Sequence, residues 1–418
     1  MNNSLVLDNA TVFDGVSGDL LRGKAIHISN GVIDAIRDAG ADHGSARVVD
    51  LAGRYVTPGF IDAHMHLLLE EVPDKDTRLT TLSPGGERYP NADAAVAMLG
   101  VRNCRRMLAA GFTTLADAGG CNFVECALRE ALNKGYFEGP NYLIAGKQLT
   151  TNHSHFLGFS MEPYGPYGMR KAIRDLMWWS VDFVKLQLSP PIRMVGRNPL
   201  ACDFTEEEVA AAIDEAHNYG LPVQAHLRGP EAIKRFLRAG GDAVVHGTAI
   251  DDEGIELLRE KNAFLLPTLC SPSPNPSPEL VSAKSTEVVD LLRRTAEIHW
   301  DGIRRAYKAG VKIAFSTDSG CLGIHIGENA QEFLNLREIG MSNFEALRAG
   351  TSVAAAAVCR EDSIGRIAPG YRADLAVLAE NPLEDIVATA KVVLTVKGGN
   401  LFDGKYRDAS TASACPAR

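Results

Sequence analysis

The sequence predicts an α/β protein: a (β/α)8 TIM barrel accompanied by a small β-sandwich formed from both ends of the chain. Three observations carry that prediction. Eight short apolar runs alternate with helical stretches through the middle of the chain. The two flanks carry strand-like runs and turn signals without that alternation. The length, 418 residues, accommodates one barrel of roughly 250 residues or more with a smaller unit appended. The expected boundaries are 57–360 for the barrel, and 1–56 with 361–418 for the sandwich.

At the N-terminus, strands are expected at 4–7 and 10–13 around Asp8-Asn9, and at 25–29 and 32–36 around Asn30-Gly31. Asn-Gly is a strong hairpin signal because both residues tolerate the positive φ of a tight turn. Short strands at 48–51 and 55–56 follow. The pattern changes after Pro58-Gly59. Apolar runs then fall at 60–66, 112–117, 142–145, 182–186, 221–226, 243–246, 264–269 and 312–318. Strands alternating with helices argue for βαβ units and a parallel sheet. Among the helices, 92–110 is rich in Ala, Leu and Met and stops at Gly111. The stretch 205–219 opens on a capping box, Thr205 with Glu208, and stops at Gly220. A third, 283–309, stops at Gly310. Beyond 361 the chain returns to strands at 374–378 and 392–397, with a turn at Gly398-Gly399-Asn400. The Pro/Ser-rich segment 271–278 is expected to be a loop, 188–204 a substrate lid, and 409–418 a disordered tail.

Composition excludes several classes. The chain is 45% hydrophobic and 23% charged, ordinary for a globular protein and unlike a disordered or fibrous one. Forty-three basic against 52 acidic residues give a net charge of −9, with no dense basic run, which speaks against a nucleic-acid partner. Eight scattered cysteines with no Cys-x-x-Cys pair indicate buried thiols in a reducing compartment. The first residues lack the basic-then-apolar pattern of a signal peptide, and no apolar stretch reaches ~18 residues. A cytoplasmic enzyme that does not enter membranes is expected.

Barrel enzymes build their sites at the C-terminal ends of the strands. Metal-ligating residue types sit at those ends here: His64 and His66, Lys185, His226, His246 and Asp318. On a strand, residues i and i+2 share a face, so His64 and His66 point to the same side. Taken singly, each has an ordinary role: a core histidine, a snorkelling lysine, an aspartate capping the next helix. Their joint placement on independently counted strand ends points to a metal site. Imidazoles suit zinc and similar ions, and a carboxylate can both bind a metal and accept a proton. A protonated lysine is a poor ligand, but carbamylation by carbon dioxide turns it into a carboxylate.

The chain resembles the amidohydrolase superfamily. The likeness lies in Pro58-Gly59-Phe60-Ile61-Asp62-Ala63-His64-Met65-His66, Phe183-Val184-Lys185, Gln224-Ala225-His226, Val245-His246-Gly247 and Ser316-Thr317-Asp318-Ser319. It extends to Gly365-Arg366-Ile367-Ala368-Pro369-Gly370-Tyr371-Arg372-Ala373-Asp374-Leu375-Ala376-Val377 and Asn381-Pro382-Leu383. Within the superfamily the chain looks most like the imidazolonepropionase-related branch, which includes metal-dependent Xaa-Pro dipeptidases and carboxypeptidase-like hydrolases. The resemblance implies two divalent metal ions, zinc first. His64, His66 and Asp318 would hold the buried ion, His226 and His246 the more exposed one, with carbamylated Lys185 between them. Imidazolonepropionases lack a lysine at that place and use one metal, so Lys185 argues for a binuclear hydrolase.

The implied reaction is hydrolysis of an amide-type C–N bond in a peptide, an N-acyl amino acid or a related amide. A hydroxide bridging the metals would attack, with Asp318 as general base and then acid. Alternatives are a hydrolase of xenobiotic carbamates, ureas or aryl amides, a mononuclear cyclic-amidine hydrolase or deaminase, a Schiff-base lyase using Lys185, and a non-catalytic assembly protein. The stretch Asn152-His153-Ser154-His155 departs from the branch's Gly-Gly-His pattern. His155 would touch the substrate carbonyl or carboxylate, and His153 would line the pocket. Arg228 is a candidate for a substrate carboxylate, and His325 and Glu328 for the pocket wall. Asp117 is expected to orient its neighbours, and Trp178 and Trp179 to pack against the barrel. Relatives commonly assemble, so the resemblance also implies a homo-oligomer.

Overall fold

The computed structural model describes residues 4–69, 92–151, 159–190, 198–276, 281–282, 285–321 and 325–403. The chain opens with β1 (Ser4–Val12), β2 (Leu21–Ser29), β3 (Val32–Asp38), β4 (Arg47–Asp50) and β5 (Tyr55–Pro58). The two strands expected around Asp8-Asn9 are one strand. Asn9 adopts a φ of 53° and the β1–β2 register shifts there, so the pair makes a bulge instead of a turn. Asn30 and Gly31 do form the β2–β3 turn, with φ values of 52° and 79°. Glycine is required at 31 for a second reason: a Cβ there would stand 2.9 Å from the Gly398 carbonyl oxygen.

A run of parallel strands follows: β6 (Phe60–Met65), β7 (Phe112–Asp117), β8 (Asn141–Ile144), β9 (Gln148–Leu149), β10 (Ser160–Met161), β11 (Val184–Gln187), β12 (Val223–Leu227), β13 (Ala243–His246), β14 (Phe264–Leu266) and β15 (Lys312–Ile313). Hydrogen bonding groups them as β6-β7-β8 and β10-β9-β11-β12-β13-β14-β15. The Asp182 amide donates to the Ile144 carbonyl at 2.8 Å, linking the two ladders beside β8. At the other side, the Ala63 amide donates to Phe315 at 3.0 Å and the Asp318 amide to His64 at 2.9 Å. Each of the eight expected runs overlaps one of these strands. Two are much shorter than expected: β14 stops before Pro267, which has no N–H for a ladder, and after β15 the chain turns its hydrogen bonds to β6.

The connecting helices are α1 (Ala92–Ala109), α2 (Val124–Asn133), α3 (Gly165–Met177), α4 (Glu206–Asn218), α5 (Pro230–Arg238), α6 (Asp252–Glu260), α7 (Thr286–Lys308), α8 (Gln331–Glu338), α9 (Asn343–Ala349) and α10 (Ser352–Ala357). Both halves of the α4 capping box are formed by Thr205 and Glu208. Alternate residues of the strands enter two different cores. Val184, Leu186, Val223, Ala225, Val244 and Leu265 join the large core shared with the helices. Ile61, Ala63, Leu143, Phe183, Val245 and Ala314 form a second core, closed by Ala354 and Val358. That second face turns polar further along the strands, which positions the site.

The chain ends with β16 (Leu375–Leu378), β17 (Val392–Lys397) and β18 (Asn400–Phe402). These join the N-terminal strands in an eight-stranded sheet of order β18-β17-β16-β5-β1-β2-β3, with β4 also on β1. The sequence suggested a sandwich of two layers; hydrogen bonds link these strands into one sheet. β4 and β5 pair in succession along the same side of β1, separated by a turn in which Ala52 has a φ of 51°. Leu5, Leu7, Ile26, Ile28, Leu375 and Val377 form its own core. Among the described residues, no helix is long and apolar enough to cross a membrane.

Candidate active site

The polar end of the inner face gathers the residue types expected of a metal site. His64 Nε2 and His66 Nε2 stand 3.7 and 3.5 Å from Asp318 Oδ1, and ligand atoms of the three lie within 4.8 Å of one another. Lys185 Nζ is 3.3 Å from His64 Nε2. The His64 and His246 rings meet edge to face at 6.1 Å, and His246 Nε2 is 2.9 Å from His226 Nδ1. All six side chains are buried. His64, His66, Lys185, His226, His246 and Asp318 are therefore in one contiguous cluster.

This donor set suits a divalent ion. Ligands 2.0–2.1 Å from a tetrahedral zinc stand roughly 3.3 Å apart, within the range of 2.9–3.7 Å found here. Imidazoles must be neutral to bind metal. Burial, then the neighbouring Lys185 charge, pushes His64 well down and His66 to about 3. Burial, then Arg228, pushes His246 well down. Burial also lowers the Lys185 ammonium to about 7, against the pull of Asp318.

Hydrogen bonds to the far ring nitrogens set the tautomers. Gln224 donates through Nε2 to the Ala63 carbonyl at 3.3 Å, so its Oε1 accepts from His64 Nδ1 at 3.4 Å. Gly119 O faces His66 Nδ1 at 3.5 Å. Thr268 donates to the Pro267 carbonyl, so its Oγ1 accepts from His246 Nδ1 at 2.6 Å. His64, His66 and His246 thus turn Nε2 lone pairs toward the cluster. His226 is different. Arg228 Nε donates to its Nε2 at 3.1 Å, leaving Nδ1–H to donate to His246.

The backbone at the strand ends is strained. His246, Thr268 and Asp318 have φ values of 67°, 49° and 58°, a left-handed conformation that non-glycine residues enter at a cost of about 1 kcal/mol or more. Gly320, with a φ of 89°, has no room for a Cβ against the His66 carbonyl oxygen.

Two acids hold this arrangement. Asp62 was not singled out as a site residue, although it stands two residues before His64 in the quoted motif. It accepts from Thr317 Oγ1 at 2.6 Å, Asn329 Nδ2 at 2.8 Å and the His64 amide at 3.2 Å. Burial outweighs these bonds and raises its carboxyl to about 6. Asp117 orients its neighbours as expected. It accepts from the Leu67 and Gly119 amides and the Tyr142 hydroxyl, and burial raises it to about 7. Gln224 and Thr268 also belong to the site without having been named for it; Gln224 stands two residues before His226, and Thr268 lies near the end of the 264–269 run.

Other expected residues fare differently. His153 and His155 lie outside the described residues, as do 191–197 of the 188–204 segment and the tail 409–418. Arg228 is buried, with Nη1 on Thr248 Oγ1 at 3.3 Å in addition to its His226 bond. His325 is half-buried beyond β15, its carbonyl accepting from the Glu328 amide at 3.0 Å. Trp178 does not pack against the barrel: it follows α3 and is 85% exposed, while Trp179 stacks on Phe123 with centroids 4.3 Å apart. Apolar character alone did not reveal on which side of the α3 terminus each indole falls.

Fold and site together define an α/β protein of parallel strands with a buried, metal-type polar cluster at the strand ends. Residues 55–402 match the amidohydrolase family, and the chain belongs to it. It is an enzyme that hydrolyses C–N bonds. It is 28% identical over 382 residues to ochratoxinase of Aspergillus niger, covering 83% of this chain and 75% of that protein. It is 24% identical over 404 residues to imidazolonepropionase of Klebsiella pneumoniae, covering 90% and 91%. A solved Xaa-Pro dipeptidase with bound methionine superposes with a TM-score of 0.83 at 27% identity, covering 96% of this chain and all of that one.

Proposed function

We propose that this chain is a binuclear metal-dependent amidohydrolase that cleaves an amide-type C–N bond of a peptide, N-acyl amino acid or related amide. Its closed (β/α)8 barrel spans 57–360, and 1–56 with 361–418 form a separate β domain. The reading is carried by the contact chain from His66 through Asp318, His64 and Lys185 to His246 and His226. The names of the ochratoxinase and dipeptidase relatives support the bond type.

His64, His66 and Asp318 would hold one ion and His226 and His246 the other. When bound, the metals polarise the scissile carbonyl and make water acidic enough to be a nucleophile at neutral pH. Lys185, lowered toward neutrality by burial, can attack carbon dioxide; an N–C bond forms, a proton leaves, and the resulting carbamate offers a carboxylate to both halves. Asp318 takes the proton of the attacking water and returns it to the departing nitrogen. The left-handed backbone at Asp318 aims its carboxylate across the cluster toward His64 and His66. His155 would polarise the carbonyl oxygen, and His153, Arg228 and His325 would contact the rest of the substrate.

The test is metal analysis together with a panel of dipeptides, N-acyl amino acids and aryl amides. Two ions per chain and hydrolysis of a panel member are expected. Asp318→Asn should lower kcat about 10³-fold. Failure of the metal-loaded protein to hydrolyse any member overturns the reading. A mononuclear enzyme is the second reading, favoured by the hydrogen bonds that engage both faces of His226. It predicts one ion per chain and full activity in Lys185→Ala.

A further inference from the structure

Beside the metal-type cluster lies a second polar group that the mechanism does not use. Lys185 and Gln187 alternate along β11 with Leu186, which belongs to the outer core. Leu186 pairs with Leu149 of β9, another outer-core residue. The residues on either side of Leu149, Gln148 and Thr150, therefore face inward with Lys185 and Gln187. Gln187 is also the register partner of His226, so it stands at the level of that imidazole.

Gln148, Thr150 and Gln187 are all at least 98% buried. Gln187 Nε2 donates to Gln148 Oε1. Gln148 Nε2, Gln187 Oε1 and Thr150 Oγ1 have no hydrogen-bond partner among the described residues. Buried polar atoms without partners are costly and uncommon in folded proteins. Here three of them gather on one patch of the inner face, next to a proposed metal ligand. Turning both amides over changes nothing essential: the pair still shows one free amide N–H group and one free carbonyl oxygen.

We propose that Gln148 and Gln187, with Thr150, form a substrate subsite for a neutral group that carries a hydrogen-bond donor beside an acceptor, such as a carboxamide. The inference rests on the amidohydrolase reading and names the substrate class of that site. A carboxylate fits poorly, because it only accepts and would meet the free carbonyl oxygen without a proton to share. A hydrocarbon fits poorly because it leaves all three atoms unpartnered. A carboxamide satisfies the free donor and the free acceptor at once.

The experiment uses two dipeptide pairs with the metal-loaded protein: glutaminyl-phenylalanine against methionyl-phenylalanine, and phenylalanyl-glutamine against phenylalanyl-methionine. Methionine matches glutamine in length and lacks the amide. The expected result is a tenfold or larger kcat/KM preference for the glutamine member of at least one pair. Gln187→Met and Gln148→Met should each reduce that ratio to threefold or less while keeping wild-type metal content and melting temperature. For a pair that is not turned over, the Kd ratio from calorimetry is read instead, so absent hydrolysis counts against the amidohydrolase reading alone. Wild-type ratios below threefold in both pairs overturn the proposal. So does an unchanged ratio in two folded, metal-loaded variants.

Discussion

The two halves of the cluster are held differently. On the His64/His66/Asp318 side, each ligand rests on a partner away from the centre: Gln224 behind His64, Gly119 behind His66, and the Asp62–Thr317–Asn329 network behind the turn that carries Asp318. Their ligating atoms are turned toward one another. On the His226/His246 side, Thr268 anchors His246 from behind. His226 is engaged at both nitrogens, by Arg228 and by His246. The first half is organised for an ion in advance. The second must exchange hydrogen bonds for coordination, with Arg228 giving up His226 Nε2 or the imidazole turning. Preorganisation of this kind separates strong from weak binding among chemically similar ligand sets.

Three substitutions sharpen that contrast, from the largest effect to the smallest. Asp62→Ala strips the first half of its support and leaves Thr317 and Asn329 without their shared acceptor. It should lower stability by about 2–3 kcal/mol and reduce bound metal, read by thermal unfolding and metal analysis; unchanged metal content would show that the first half organises itself. Thr268→Val removes the anchor of His246 alone. It should weaken the more exposed ion 10–100-fold with the buried one retained, read by graded chelation; equal loss of both ions would erase the distinction between the halves.

The smallest effect falls outside the cluster. Glu332 is buried and accepts from the Leu269 and Cys270 amides at 2.8 and 2.9 Å, holding the segment beyond Thr268. Burial raises its carboxyl from 4.5 to about 7. A raised acid binds more protons folded than unfolded, so its contribution to stability is greatest below pH 4.5 and declines as pH rises toward 7. Glu332→Gln should flatten the pH dependence of the melting temperature between those values. A profile identical to wild type would show that Glu332 does not titrate there.

The strand-end histidines, Lys185 and Asp318 are legible because each falls at or near the end of a short apolar run that alternates with helical stretches. The supporting residues were not. Gln224 and Thr268 carry no periodic signal, and their importance lies in contacts with residues 160 and 22 positions away. The strands β9 and β10 have two residues each and leave no pattern to detect, so the inward direction of Gln148 emerges only from pairing with β11. At Asp8-Asn9, a good turn signal is overridden because β1 pairs with β2 on both sides of the bulge. Trp178 was misjudged because hydrophobicity says what a residue prefers, and a short helix terminus decided what it received.

One feature of the topology bears on the time course of synthesis. Only Gly59 separates β5 of the terminal sheet from β6, the strand that carries His64, and its amide donates to the Asp374 carbonyl at 2.8 Å. β5 is completed on its other side by β16, more than three hundred positions later in the chain. A ribosome that has made His64 and His66 must therefore finish nearly the whole protein before the strand leading to them gains its last neighbour. Until then the nascent chain holds an unfinished sheet edge next to the strand that carries His64, the condition in which chaperones bear hardest on yield.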